Sequence, residues 1–177
     1  MATEEVVEGY AQALYSITKA EGETERVERE AFQLRGLLEK NHELGQALGD
    51  PSISTERREE LLAGVLGDKV SPQTKKLVGL VVEQGRGRQL ASILARLSDL
   101  VAESKGSVVA EVRSAIPLDT ERQQALAAAL TKVTGKKVEV KVIVDESVLG
   151  GLVTKIGDTI IDGTVRRRLE LLKEQVR

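Results

Sequence analysis

The spacing of apolar residues changes at Lys105-Gly106, and that change constrains the fold more than any single motif. Upstream, apolar side chains recur every three or four residues, the period of one helix face. Downstream they recur every second residue in two separate stretches, the period of a strand. A chain of 177 residues is long enough for one domain or two small ones. The reading is therefore α+β, with a six-helix bundle over residues 1–105 and a small mixed α/β domain over residues 106–177.

In the first part, Val6, Tyr10, Ala13, Leu14 and Ile17 predict one helix face, flanked by Val7, Ala11 and Tyr15. Thr3 is the expected N-cap, with Glu4 and Glu5 at the positive dipole end, and Gly22 marks the stop. Val27, Ala31, Leu34 and Leu38 form a second stripe. A short piece around Leu44 and Leu48 ends at Gly49-Asp50-Pro51. Ser54 caps a helix carrying Leu61, Leu62, Val65 and Leu66, closed by Gly67. Ser71-Pro72 is an N-cap followed by proline at the first helical position. The fifth helix carries Leu77, Val78, Leu80, Val81 and Val82 over most of its circumference and ends near Gly85. Leu90, Ile93, Leu94, Leu97 and Val101 complete the bundle.

In the second part, Val108, Ala110 and Val112 predict a strand that cannot continue through Pro117. Asp119 caps a helix with Leu126, Leu130 and Val133, and Gly135 sits where a left-handed stop belongs. Val138, Val140, Val142 and Val144 predict a second strand, parallel to the first if the two are neighbours. Gly157-Asp158 between apolar runs reads as a two-residue hairpin turn. The last helix carries Val165, Leu169, Leu172 and Val176.

Several function classes are excluded or weakened. There is no cysteine, hence no disulfide, thiolate nucleophile or cysteine zinc site. His42 is the one histidine, so one chain cannot build a multi-histidine metal centre. Aromatics are Tyr10, Tyr15 and Phe32 alone, which disfavours stacking pockets for bases, sugars or flat cofactors. No apolar run approaches the roughly 20 residues of a membrane span, and the acidic N-terminus has no signal-peptide character. Residues 1–105 hold 18 acidic and 14 basic groups and residues 106–177 hold 10 and 12, so neither part carries a strong positive field for nucleic acid.

Candidate motifs mostly read as structure. Thr134-Gly135-Lys136-Lys137 lacks the upstream glycine and the Ser/Thr of a phosphate loop, and Gly150-Gly151 lacks the dinucleotide pattern. His42 has no nucleophile in a recognisable setting. Asp158 and Asp162 could form an acid-base pair, but four residues apart across a turn they suit the turn and the next helix start better. Arg166, Arg167 and Arg168 stand in the first turn of the last helix, where the dipole opposes cations by about 0.3–1 kcal/mol each. Asp158, Asp162, Glu170 or an acidic partner must offset that; with Lys136, Lys137 and Lys141 these arginines also carry the alternative reading of a nucleic-acid-binding adaptor. The first and fifth helices, apolar on more than one face, read either as central to the bundle or as the border of a groove for a partner's amphipathic helix.

Two stretches carry a family resemblance. Tyr10-Ala11-Gln12-Ala13-Leu14 resembles the Tyr-Ala-x-Ala-Leu of the first helix of the delta subunit of bacterial F-type ATP synthase, equivalent to the mitochondrial oligomycin-sensitivity-conferring protein. Leu149-Gly150-Gly151 through Ile156-Gly157-Asp158, then Ile161-Asp162-Gly163-Thr164-Val165-Arg166, resembles that family's C-terminal signature, with Thr164 where serine is frequent. The resemblance implies a non-catalytic stator subunit without cofactor or metal. It implies one copy per complex, peripheral on the cytoplasmic face of the bacterial membrane through the complex, and no nucleic acid. The bundle would receive the N-terminal helix of an α subunit beside Tyr10, Ala11, Leu14, Leu77, Val78 and Val81. The second domain would hold the C-terminal region of the b subunits, with the signature residues Gly150, Gly151, Gly157, Asp158, Asp162, Gly163, Arg166, Arg167, Arg168 and Leu169 at or under that contact.

Overall fold

A computed structural model describes residues 2–67 and 70–175, apart from the side chains of Ala2, His42, Arg168, Leu171, Leu172, Glu174 and Gln175. The chain divides into two compact units, Met1–Val101 and Ala102–Arg177.

The first unit is helical. Among the described residues it contains α1 (Ala2–Glu21), α2 (Thr24–Lys40), α3 (His42–Leu48), α4 (Thr55–Leu66), α5 (Pro72–Glu83), a 3-10 turn (Gly87–Gln89) and α6 (Leu90–Ser104), whose last turn belongs to the second unit. The expected caps at Ser54 and Ser71 are present: their hydroxyls accept from Arg57 N and Thr74 N at 3.3 Å. The core is aliphatic, as the lack of aromatics demands. Leu14, Leu34, Leu48, Leu66, Val78, Val81, Val82, Leu90, Ile93, Leu94 and Leu97 are all buried to 2% exposure or less.

Two expectations for α1 fail. Thr3 lies inside the helix rather than at its cap, since α1 starts at Ala2. The buried face is also rotated by one residue: Ala11, Leu14 and Thr18 are buried with Val7 packed on them, while Ala13 and Ile17 face outward. Thr18 is tolerated in the core because its hydroxyl donates to Tyr15 O at 2.9 Å within the same helix. A pattern built on apolar letters alone skips threonine and settles one position off.

The second unit contains β1 (Ser107–Ser114), α7 (Thr120–Thr134), β2 (Lys137–Val144), β3 (Leu152–Ile156), β4 (Thr159–Asp162) and α8 (Val165–Gln175). The sheet order is β2-β1-β3-β4. β1 and β2 are parallel in the register Ala110↔Val140, as the β-α-β reading requires, and β3 pairs antiparallel with β1 through Val112↔Thr154. The β3–β4 hairpin turns at Gly157-Asp158, with Ile156 opposite Thr159 and Gly157 at φ +55°. Asp119 Oδ1 accepts from Arg122 N at 2.8 Å, and Gly135 closes α7 at φ +68°. α7 covers the face formed by Ala110 and Val138 through Leu130, with Val108, Leu126, Val140 and Ile156 around them. Val133, expected on that apolar stripe, is 77% exposed because it falls on the outer side of the last turn. Val165 and Leu169 are also outward-facing, at 50% and 61%; Leu172's side chain and Val176 lie outside the described residues.

Candidate functional site

In the helical unit, the six residues expected at the partner groove separate by burial. Ala11, Leu14, Val78 and Val81 are at most 2% exposed and Leu77 is 8% exposed, so their side chains build the bundle's own core. Tyr10 alone of the six is half-buried, packed on that core. The large aliphatic groups these helices present outward are Ile17 on α1, at 37%, and Leu80 on α5, at 40%. Leu80 belongs to the all-round apolar helix that the sequence picks out. Ile17 falls on the expected core face of α1, which lies one residue away from the true one.

Both helices are held by polar groups from their neighbours. Arg96 Nε of α6 donates to Glu8 Oε2 of α1 at 2.6 Å. That bond comes first among the causes that keep the Glu8 carboxyl below its usual range. At the start of α5, Glu30 Oε2 of α2 accepts from Ser71 N at 2.8 Å, Ser71 Oγ at 2.8 Å and Thr74 Oγ1 at 2.6 Å. Burial pushes the Glu30 carboxyl up, but the bonds from Thr74, Ser71 and Arg26 outweigh it and the net shift is downward.

In the second unit, the signature segment is a backbone device. Gly150 and Gly151 take φ +69° and +86°, a region that side chains strain to enter. A Cβ on Gly151 would collide with the backbone of Gly163 and lie 2.9 Å from Thr164 Cα; one on Gly150 would meet Val165 Cγ2 at 3.1 Å. The two strand ends can approach because position 151 is glycine, while at Gly150 an added carbon would only press on the Val165 side chain. Gly163 N then donates to Leu152 O at 2.9 Å and Val165 N to Gly150 O at 3.2 Å, which ties the start of α8 to the start of β3. Thr164 caps α8 by accepting from Arg167 N at 3.2 Å.

Asp162 serves the same junction. Its Oδ1 accepts from Thr164 N at 2.9 Å. Hydrogen bonding from Thr164, with the charges of Arg167 and Arg166 behind it, holds Asp162 below the usual carboxylate range. Such a carboxylate is poorly suited to general acid work near neutrality. Arg166 and Arg167 are exposed, and Arg167 Nη1 lies 3.5 Å from Glu170 Oε2; the side chain of Arg168 lies outside the described residues. Lys141, counted toward a nucleic-acid surface, is 11% exposed with Nζ 3.5 Å from Glu139, which removes it from any open basic patch.

Beside the glycine pair lies an open groove of about 600 Å³, lined by Ile116, Leu118, Ala125, Leu126, Gly150, Gly151 and Leu152 with Ser114, Ala115 and Arg122. Ile116 in its wall and Leu149, next to Gly150 in the chain, are 58% and 63% exposed. Sequence patterning misses this groove, since its walls come from a loop, a helix flank and a strand start that share no period. One sign of it is present in the chain: apolar residues in a loop, Ala115, Ile116 and Leu118 around Pro117.

No helix among the described residues is long and apolar enough to cross a membrane. The family model described as ATP synthase delta (OSCP) subunit matches residues 6–176. The chain is 36% identical over 171 residues to the ATP synthase subunit delta of Desulforamulus reducens, covering 97% of this chain and 94% of that one. It is 33% identical over 167 residues to the ATP synthase subunit delta of Chlorobaculum tepidum, covering 94% and 92%. The ATP synthase subunit delta of Streptomyces lividans is 41% identical over 149 residues, but this chain spans only 55% of that longer protein. A chain in the structure of the Toxoplasma gondii mitochondrial ATP synthase hexamer shares the fold, with a TM-score of 0.57 at 24% identity over 96% of each chain. Model and relatives span both units, and the chain belongs to the ATP synthase delta (OSCP) subunit family, a structural and non-catalytic component of the synthase's peripheral stalk.

Proposed function

We propose that this chain joins the catalytic head to the peripheral stalk by gripping one partner with each unit. Residues 1–105 receive the N-terminal helix of an α subunit, and residues 106–177 hold the C-terminal region of the b subunits. One copy serves each complex, which works at the cytoplasmic face of the bacterial membrane. The grip keeps the head from turning with the rotor, so that proton flow drives ATP synthesis. The observation that carries this reading is the family match across residues 6–176, which brings both units under one role.

The surface supports two separate grips. With Ala11, Leu14, Val78 and Val81 buried, we assign the α-subunit helix to the outward groups Tyr10, Ile17 and Leu80, the buried residues holding those in place. In the second unit, the apolar groove beside Gly150-Gly151 and the outward face of α8 at Val165 and Leu169 offer the b subunits an apolar seat, next to exposed Arg166 and Arg167. Each contact can be moderate alone, because simultaneous engagement of two modules multiplies their strength.

The test uses the full chain. Titration with a peptide copying the N-terminus of the α subunit is expected to show saturable binding that Leu80→Asp abolishes. Omitting the chain from a reconstituted synthase is expected to uncouple proton flow from synthesis while the free head still hydrolyses ATP. Loss of that hydrolysis would refute the non-catalytic role.

A further inference from the structure

Helix α5 is gripped at both ends by charged side chains from two other helices. At its N-terminus stands the Glu30 carboxylate of α2, whose side chain is 15% exposed. Oε2 alone takes three bonds, from Ser71 N, Ser71 Oγ and Thr74 Oγ1, the last at 2.6 Å. Thr74 is fully buried and Ser71 is 4% exposed, so these bonds are shielded from water. At its C-terminus stands Arg58 of α4, 8% exposed, whose Nη1 donates to Val82 O at 3.3 Å and Nη2 to Thr55 Oγ1 at 3.3 Å. Val82 lies in the final turn of α5, and its carbonyl also accepts from Gly85 N at 2.9 Å.

The signs are complementary to the helix dipole: an anion at the positive end and a cation at the negative end. Interdigitated apolar side chains set which face of a helix is buried. Charge-assisted bonds at both termini add directional restraints along its axis. Leu80 lies between the two clamps, one turn before the end, and is the outward apolar group of α5.

We propose that Glu30 and Arg58 are positioning residues, an axial clamp that sets where α5 presents Leu80 to the partner helix. The inference rests on the proposed use of α5 as part of the α-subunit seat.

The experiment uses the full chain with Glu30→Gln, Thr74→Val and Arg58→Gln, and with Leu80→Asp as the control for the seat. Thr74→Val keeps the buried shape while deleting the shortest bond, and it stands in if Glu30→Gln does not fold. Affinity for the peptide copying the N-terminus of the α subunit is read by calorimetry, and amide exchange is read helix by helix. The clamp predicts that the peptide binds about tenfold more weakly to the folded clamp variants. It also predicts that amide exchange accelerates in α5 while α6 keeps its protection. If the wild type binds, Leu80→Asp does not, and the clamp variants match the wild type, the clamp is refuted and the seat stands. If the wild type does not bind the peptide, the seat reading fails and the positioning role of Glu30 and Arg58 fails with it. Where the wild type binds, weaker binding by the clamp variants with acceleration confined to α5 upholds the clamp, and a uniform change across the helices overturns it.

Discussion

Gly151→Ala tests the backbone account of the signature segment. Gly151 sits at φ +86°, and an added Cβ would run into Gly163 O and come within 2.9 Å of Thr164 Cα. The obstacle is backbone, so no rotamer change relieves it. Left-handed backbone costs an L-residue about 1–2 kcal/mol. Separating the two segments weakens the bonds from Gly163 N to Leu152 O and from Val165 N to Gly150 O, each about 0.5–1.5 kcal/mol net. The expected loss is therefore about 2–5 kcal/mol, confined to the second unit. Gly135→Ala supplies the control: its φ is +68° but nothing lies within 4 Å of the added carbon, so only the conformational cost remains. Denaturant unfolding of the full chain, followed by amide exchange to separate the two units, measures both variants. Gly151→Ala is expected to exceed Gly135→Ala by at least about 1 kcal/mol, with the bundle unaffected. Equal losses would show that the close approach at Gly163 carries no energy, and the reasoning would fail.

Other outcomes follow from the same geometry. Leu14→Ala should destabilise the bundle by about 2–5 kcal/mol, because the side chain is 2% exposed in a packed core; chemical denaturation reads it. Leu80→Asp should change the unfolding free energy by no more than about 0.5 kcal/mol yet abolish binding of the α-subunit peptide, whereas a collapse of the fold would mean that Leu80 is structural. Glu30 has a depressed folded pKa, so its contribution is present above the unfolded carboxylate value and is lost as pH falls through the folded one. Acid titration should find Glu30→Gln less stable than wild type near neutrality, with the gap closing on acidification; a constant gap would contradict the bond pattern at Ser71 and Thr74. Leu169→Asp should leave the second unit folded, since Leu169 is 61% exposed, while weakening capture of the b subunits in a pull-down of the assembled stalk.

The legible parts of the fold were those written in local chemistry. Ser54, Ser71-Pro72, Asp119, Gly135 and Gly157-Asp158 each announce a helix end or a turn through one residue's hydrogen-bonding or backbone freedom, and each acts as read. The parallel β1–β2 pairing followed from a helix lying between two alternating runs. Faces were harder. One residue of rotation in α1 turns a face by about 100°, and the decisive Thr18 looks polar in the sequence while its hydroxyl is satisfied inside the helix. The same difficulty explains the expected anchors: Val78 and Val81 lie on the all-round apolar helix, yet face the core, while Leu80 faces out. The long-range contacts left no local trace. Nothing near Glu30 indicates that its carboxylate ends on Ser71 and Thr74, about forty residues away. The groove wall from Ile116 to Leu152 likewise exists only after folding.

The two units differ in how completely they satisfy themselves, and that difference bears on their use. The bundle hides nearly all its large apolar side chains, leaving Ile17 and Leu80 as its exposed large aliphatics among the described residues. The second unit leaves Ile116, Val133, Leu149, Ile160, Ile161, Val165 and Leu169 exposed around one four-stranded sheet. β4 is an edge strand in which all four residues are exposed, with isoleucines on both faces. Proteins that work alone usually protect such edges and patches. On the proposed reading, the b subunits cover part of this surface, and the second unit then gains stability from its partner by mass action, about 2.7 kcal/mol at a free partner concentration one hundred times Kd. Melting of the full chain with increasing amounts of a fragment carrying the C-terminal region of the b subunits should raise the transition of the second unit and leave that of the bundle in place. A shift of both together, or of neither, would contradict the assignment of separate grips to separate units.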